Sequence, residues 1–170
     1  MTNVPPSSSN TTTTGSEYIA GLPRKRMGAG VLLTDSLGRV LLVEPTYKPY
    51  WEVPGGAVEA GESPYSAAGR EVTEELGLSV EVGRLLVTDW VPPREDRTDG
   101  LMLIFEGGLL SSAAAERITL PADELRSWAW CTPAEATERL IPLLARRVTA
   151  ALRASADGTS VYLEDGHLIV

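Results

Sequence analysis

Three glutamates lie close together in one short segment, at spacings that bring their carboxylates to one side of a helix. Glu71, Glu74 and Glu75 belong to the sequence EVTEEL. An α-helix turns by about 100 degrees per residue, so side chains three and four positions apart share one arc of its surface. Their charges repel, and Glu74 and Glu75 also oppose the helix dipole. A divalent cation with oxygen ligands would convert this repulsion into coordination.

The residues around the three glutamates decide the interpretation, because an acidic segment by itself is more often a solvated helix face. Arg70 lies four positions before Glu74, where an i,i+4 ion pair would orient that carboxylate. Glu62 precedes the helix and is expected to lie too far along it to join the acidic arc. Magnesium or manganese would suit oxygen ligands of this kind.

The helix that carries these groups has recognisable ends. Ser63 is a predicted N-cap, Pro64 suits the first helical position, and Gly77 supplies the left-handed residue after the last turn. The sequence therefore predicts a helix over residues 64–76. An apolar stripe beside the acidic arc should pack on a sheet, and it consists of Tyr65, Ala68, Val72 and Leu76.

The rest of the chain alternates between strand and helix patterns. Gly55 and Gly56, after Pro54, predict a loop in which the backbone approaches a ligand closely. Apolar and β-branched runs predict strands at residues 27–35 and 39–45, which should form a hairpin, and at 51–53, 79–91, 101–105 and 125–131. Helical spacing covers residues 133–140 and 142–154, and residues 162–170 suggest a terminal hairpin across Asp165 and Gly166.

Composition limits the classes of protein that fit. The 170 residues include 43% hydrophobic and 22% charged residues, which suits one folded domain. Residues 1–20 are predicted to be a flexible, low-complexity tail, and residues 21–170 the domain. The net charge of -8 disfavours binding to long nucleic acid. Cys131 is the only cysteine, and we found no secretory or membrane-spanning pattern, so a cytoplasmic location without membrane association is expected.

Residues 56–78 carry a pattern that resembles a known family. The order is Gly, five residues, Glu, seven residues, then Arg-Glu-aliphatic-any-Glu-Glu-any-Gly-aliphatic, and every defined position matches the Nudix box. The adjoining WEVPGG also looks like the framework of the Nudix hydrolases. The resemblance implies an α/β fold, an α/β/α sandwich with a mixed β-sheet.

The resemblance also implies a chemistry and a set of site residues. Mg²⁺, or Mn²⁺ in its place, would be held by Glu71, Glu74 and Glu75 and by the backbone carbonyl of Gly55 or Gly56. The expected reaction is hydrolysis of a phosphoanhydride bond in a nucleotide, or in a nucleoside diphosphate linked to another group such as ADP-ribose or a nucleotide sugar. In this chemistry a carboxylate takes a proton from the attacking water.

Several carboxylates are candidates for the general base. Glu71 is the first choice, with Glu74 and the orienting Arg70 as its expected partners in the catalytic group. Glu124 resembles a glutamate that opens a late strand in many family members, and its alternative interpretation is an exposed residue at a strand edge. Glu106 is a weaker candidate of the same kind.

Substrate contacts are predicted at four positions. Arg26 ends a short basic run that is otherwise typical of a solvated entry segment, and Trp51 is a candidate for stacking on a base. Arg94 and Arg97 lie in a polar loop that would form one lip of the site. His167 is the sole histidine, so a Ser-His-Asp triad has no support in the sequence.

Two other functions remain open at this point. One is a nucleotide-sensing module that keeps the fold without turnover, and the other is a pyrophosphohydrolase that acts on RNA 5' ends. The acidic net charge disfavours the polymeric substrate, so a small nucleotide is the expected partner. The sequence does not fix the oligomeric state, and a homodimer stays an open option.

Overall fold

A mixed sheet of eight strands organises the molecule, whose computed structural model describes residues 15–169. The strands are β1 (Arg26–Thr34), β2 (Val40–Pro45), β3 (Gly55–Ala57), β4 (Leu85–Val91), β5 (Gly100–Leu109), β6 (Leu125–Cys131), β7 (Val161–Glu164) and β8 (His167–Leu168). The helices are α1 (Gly15–Ala20), α2 (Pro64–Leu76), α3 (Ser112–Ala115), α4 (Pro133–Arg139) and α5 (Pro142–Asp157).

Helices cover both faces of this sheet, which confirms the predicted α/β/α sandwich. The strand order is β6-β2-β1-β5-β4-β7-β8, with β3 paired to β1 outside that path. Along β1 the side chains alternate between two apolar clusters: Val31 and Leu33 pack with α2, whereas Leu32 packs with α4 and α5. Such alternation is what a strand buried on both faces requires.

Most of the predicted elements are present. The β1–β2 hairpin, helix α2, strand β6 and the β7–β8 hairpin all lie where the sequence placed them. The side chain of Ser63 accepts a hydrogen bond from the Ser66 amide, and Gly77 ends α2 with φ at 65°. Ala68, Val72 and Leu76 are fully buried, so most of the predicted stripe does pack on the sheet.

Two strand predictions were wrong in position. The short strand is β3 rather than residues 51–53, and the expected glycine loop is itself paired antiparallel with β1, Gly55 facing Gly30 and Gly56 facing Ala29. A Cβ on Gly55 would collide with the Ala29 carbonyl, so glycine permits this close pairing. Strand β4 begins only at Leu85, because residues 77–84 form a loop that buries Leu78 and Val82.

From residue 15 to the start of β1 the structure describes one regular element. Helix α1 occupies residues that fall within the predicted tail, and residues 1–14 lie outside the described part of the chain. The predicted boundary between tail and domain therefore stays a prediction. Within residues 15–169 no helix is long and apolar enough to cross a membrane.

A buried ion pair connects α5 to the sheet. Asp89 on β4 is 0% exposed, and its Oδ2 accepts hydrogen bonds from Nε and Nη2 of Arg147 at 2.8 and 2.6 Å. Its Oδ1 accepts a third hydrogen bond from the amide of Gly166 in the β7–β8 turn, at 3.0 Å. One carboxylate thus connects β4, α5 and the terminal hairpin.

We expect Asp89→Ala to lower the free energy of unfolding by about 3–5 kcal/mol, because it leaves the Arg147 charge buried without a partner. Urea denaturation measures this loss. The matched control is Asp96→Ala, which removes an exposed ion pair with Arg97 and should cost less than about 1 kcal/mol. Equal losses in the two variants would show that the buried pair does not hold α5 on the sheet.

Candidate active site

Glu71 lies against the glycine strand β3. A Cβ at Gly56 would collide with the Glu71 carboxylate, so only a glycine there permits this approach. The side chain of Glu71 is 12% exposed. Burial raises its pKa, hydrogen bonding to Arg70 opposes that rise, and the charges of Glu74 and Glu124 add to it. The group is thus a carboxylate with enhanced basicity beside the glycine strand.

Glu75 is more deeply buried than its position near the end of an acidic helix suggested. The residue is 2% exposed, and its Oε2 accepts a hydrogen bond from the amide of Gly55 at 2.9 Å. Burial, together with the charges of Glu71, Glu52 and Glu124, raises its pKa to about 8, and only the Gly55 amide lowers it. At neutral pH this carboxyl group needs either a proton or a nearby cation.

Arg70 is the cation that holds the acidic residues together. Its Nη1 lies 2.9 Å from Oε1 of Glu71 and 2.8 Å from Oε2 of Glu74, so the expected pair with Glu74 is present. Its Nε and Nη2 each lie 3.0 Å from an oxygen of Glu62, and Nη2 also donates to the carbonyl of Ala57. Glu62 precedes α2, as expected, and lies outside the acidic arc of the helix. The sequence did not predict that Arg70 connects Glu62 to Glu71 and Glu74.

The three helix glutamates therefore converge only in part. Glu71 and Glu75 face β3, whereas the side chain of Glu74 is 54% exposed. Among residues 15–169 no three carboxylate, imidazole or thiol groups already meet as a ready metal cluster. The guanidinium of Arg70 lies between Glu71 and Glu74 instead, so both carboxylates would have to adjust around an incoming ion.

The two carboxylates outside the predicted motif differ in location. Glu124 lies just before β6, where its carbonyl accepts a hydrogen bond from Thr46, and its charge acts on both Glu71 and Glu75. Glu106 instead binds Arg84 at 3.0 Å and Ser155 at 2.6 Å. The structure thus brings Glu124 towards the acidic cluster and gives Glu106 other partners.

A cavity of about 330 Å³ adjoins the other side of the glycine strand. Its walls include residues from β1, β3, β5 and α5, and from the segment before β3. Arg26 is one of them, and its guanidinium donates to the Thr98 carbonyl at 2.9 and 2.7 Å. Other lining residues went unnoticed in the sequence, namely Tyr47, Lys48, Glu52, Met102, Leu144 and Arg147. No local motif marks them, because the fold brings them together from three distant segments of the chain.

The other predicted substrate contacts lie elsewhere. Trp51 is half-buried, and the guanidinium of Arg139 lies 4.5 Å from the centre of its ring. Arg94 lies 3.5 Å from Asp165, and Arg97 pairs with Asp96 at 3.1 Å. None of these three predicted residues lines the 330 Å³ cavity.

Comparison with known proteins agrees with this arrangement. The family model of the NUDIX domain matches residues 24–152. A MutT-like protein of Streptomyces ambofaciens is 34% identical over 143 residues, covering 83% of this chain and 84% of that protein. An RNA pyrophosphohydrolase of Dinoroseobacter shibae is 32% identical, covering 73% of this chain and 86% of that protein.

Solved structures give the same result for the fold. The crystal structure of a MutT NUDIX hydrolase from Burkholderia pseudomallei superposes with a TM-score of 0.63 at 22% sequence identity. The match covers 78% of this chain and 98% of that one. The family match over most of the chain, the relatives above 30% identity and the acidic helix beside a glycine strand together show that this chain belongs to the Nudix hydrolases.

Proposed function

We propose that this Nudix hydrolase cleaves a phosphoanhydride bond in a nucleotide, or in a nucleoside diphosphate linked to another group, with Mg²⁺ as its ion. The observation that carries the proposal is the approach of Glu71 and Glu75 to the glycine strand that lines the 330 Å³ cavity. A cavity of this size suits a small ligand rather than a polymer.

The residues present fit a hard divalent ion. Nudix hydrolases generally use divalent metal cations, and the predicted ligands Glu71, Glu74, Glu75 and the carbonyl of Gly55 or Gly56 are all oxygen donors, which suit Mg²⁺, with Mn²⁺ as a substitute. The buried Glu75, with its pKa raised to about 8, is a group whose ionised form a cation would stabilise. When bound, such an ion would polarise phosphoryl oxygens and acidify water.

The chain's own side chains divide the remaining work. Glu71 accepts the proton of the attacking water as the water approaches phosphorus in line with the leaving group. Its raised pKa improves it as a base near neutral pH. Arg70 orients Glu71 and Glu74 through one shared nitrogen, and Glu62 fixes Arg70 from its other side. Glu124 contributes negative charge that keeps Glu71 basic.

The test is a substrate panel containing ADP-ribose, dinucleoside polyphosphates, nucleotide sugars and oxidised dNTPs, with products identified by mass in Mg²⁺ and in EDTA. We expect Mg²⁺-dependent release of a nucleotide product from at least one class. A folded sample that binds nucleotides but releases no product from any member would instead indicate a nucleotide sensor.

An RNA 5'-end activity is the second candidate, favoured by the Dinoroseobacter shibae relative, which is named an RNA pyrophosphohydrolase. The net charge of -8 weighs against it. Labelled triphosphorylated RNA belongs in the same assay for this reason. Cleavage of RNA ends far faster than of free nucleotides would replace the small-molecule proposal.

We expect Glu74→Gln and Glu71→Gln each to lower kcat by about 100-fold or more, because each removes a charged oxygen ligand or the base. Steady-state kinetics measure the loss, and circular dichroism checks the fold. The matched control is Glu138→Gln, an exposed acid on α4. Near-normal turnover in the Glu74 variant would refute its role.

Gly56→Ala should reduce kcat/KM at least tenfold, because the added methyl group must displace the Glu71 carboxylate from its place beside β3. The control is Gly69→Ala within α2, where an added Cβ meets only Val82 at an ordinary 3.5 Å. That variant should keep its activity and be stabilised slightly. Equal kcat/KM values in both variants would contradict the proposed position of Glu71.

The stability of the metal-free protein should fall as the pH rises from about 4.5 to about 8. In this window the folded state holds a proton on Glu75 that the unfolded state has lost, because the folded pKa of about 8 exceeds the ordinary value of 4.5. Mg²⁺ binds the ionised carboxylate, so its stabilising effect should grow with pH over the same window.

Urea denaturation at several pH values, in EDTA and in Mg²⁺, measures both trends. Glu75→Gln cannot ionise at this position, so it should flatten the metal-free dependence. An unchanged pH dependence in Glu75→Gln would show that another group is responsible.

A further inference from the structure

Arg147 presents a fixed hydrogen-bond donor to the 330 Å³ cavity. It lies on α5, its side chain is 8% exposed, and it is one of the residues lining that cavity. Nε and Nη2 are both engaged by Oδ2 of Asp89. Within residues 15–169 the remaining nitrogen, Nη1, has no hydrogen-bond partner. A guanidinium held on one side in this way keeps Nη1 available for a ligand.

The charge of Arg147 is already balanced. Asp89 is fully buried and is itself held by the Gly166 amide, so the ion pair is neutral as a unit and fixed by three elements of the fold. Because Asp89 already neutralises its charge, Arg147 is better suited to donate a hydrogen bond to an uncharged acceptor, such as a carbonyl oxygen, than to bind a phosphate group.

The sheet gives a measure of how far Asp89, the partner of Arg147, lies from the glycine strand β3. Asp89 faces Met102, Met102 faces Gly28, and Gly28 faces Ala57 at the end of the glycine strand. Three strand spacings span about 14 Å, and residues directly opposite one another share a face of the sheet. Because β3 and Arg147 line the same cavity, a ligand that fills it from the glycine strand would reach towards Arg147.

The lining between these two points is largely apolar. Met102 covers Gly28 and Val53 covers Gly30, since a Cβ on either glycine would press on those side chains. Met102 and Leu144 supply apolar walls. A planar heterocycle placed here would present its edge to Nη1 of Arg147.

From these contacts we propose that Arg147 is a specificity-determining residue, which selects a nucleobase with a carbonyl acceptor over the same base with an amino group. The proposal rests on the proposed nucleotide hydrolysis. The expected preference is for 6-oxopurines over 6-aminopurines, and for 4-oxopyrimidines over 4-aminopyrimidines, because an amino group would place donor against donor.

The test compares kcat/KM for ITP against ATP and for UTP against CTP in Mg²⁺. We expect the wild type to prefer the oxo member by roughly 5- to 150-fold, the range for one well-placed base contact. The double variant Asp89→Leu/Arg147→Met removes the buried pair as a unit and so avoids an unpaired charge. Its ratio should fall to about 1, whereas Arg153→Ala, an exposed arginine on the same helix, should leave it unchanged.

The ratio separates recognition from a merely structural role. A structural defect would lower kcat/KM for both members of a pair and leave their ratio as it was. A wild type that shows no oxo preference, or a double variant that keeps one, would overturn the assignment of Arg147.

A failure of the proposed hydrolysis would appear separately, as no product from any nucleotide. The dissociation constants of methylene-bridged, hydrolysis-resistant ITP and ATP analogues, measured by calorimetry with and without Mg²⁺, then decide the same question. A preference for the ITP analogue that is lost in the double variant supports the assignment of Arg147. Equal affinities of the wild type for the two analogues refute it.

Discussion

The whole site depends on the contact between two carboxylates of α2, the partly buried Glu71 and the buried Glu75, and the two glycines of strand β3. Glu71 and Glu75 approach β3 closely because Gly55 and Gly56 leave the space, and the Gly55 amide satisfies one oxygen of Glu75. The neighbouring stripe of α2, with Ala68, Val72 and Leu76 fully buried, fixes the helix on the sheet. The apolar side chains of α2, rather than the glutamates themselves, thus hold the helix in place. The helix therefore cannot rotate to expose the glutamates to water.

The clustered negative charge destabilises this part of the fold, and the glutamates differ in how far hydrogen-bond partners compensate their charges. One guanidinium, that of Arg70, contacts Glu62, Glu71 and Glu74, while among residues 15–169 Glu75 has only a backbone amide as its partner. Burial, together with the remaining negative charge, raises the pKa values of Glu71 and Glu75. A folded protein retains such unbalanced charge where binding requires it. On the other face the charges of Asp89 and Arg147 balance each other, so the acidic cluster and the cavity wall at Arg147 attract different groups.

The sequence predicted what depends on local spacing, and it missed what depends on chain segments meeting from a distance. The limits of α2 follow from its capping residues, the reach of Arg70 to Glu74 follows from the helical period, and the motif indicated the family. The pairing of the glycines with β1 could not be read locally, because it depends on the backbone of Gly30 and Ala29. The buried pair of Asp89 and Arg147 joins residues 58 positions apart. Nothing in either local segment marks that partnership.

The hydrogen bond from the Gly166 amide to Asp89 has a consequence for how the molecule is made. Asp89 leaves the ribosome long before either of its partners, and closing contacts over such sequence distances is slow. Until α5 and the β7–β8 hairpin pack on the sheet, the Asp89 carboxylate on β4 lacks its hydrogen-bond partners Arg147 and Gly166. The acidic helix and glycine strand can therefore assemble early in synthesis, while the far wall of the cavity forms only after α5 and the β7–β8 hairpin have emerged.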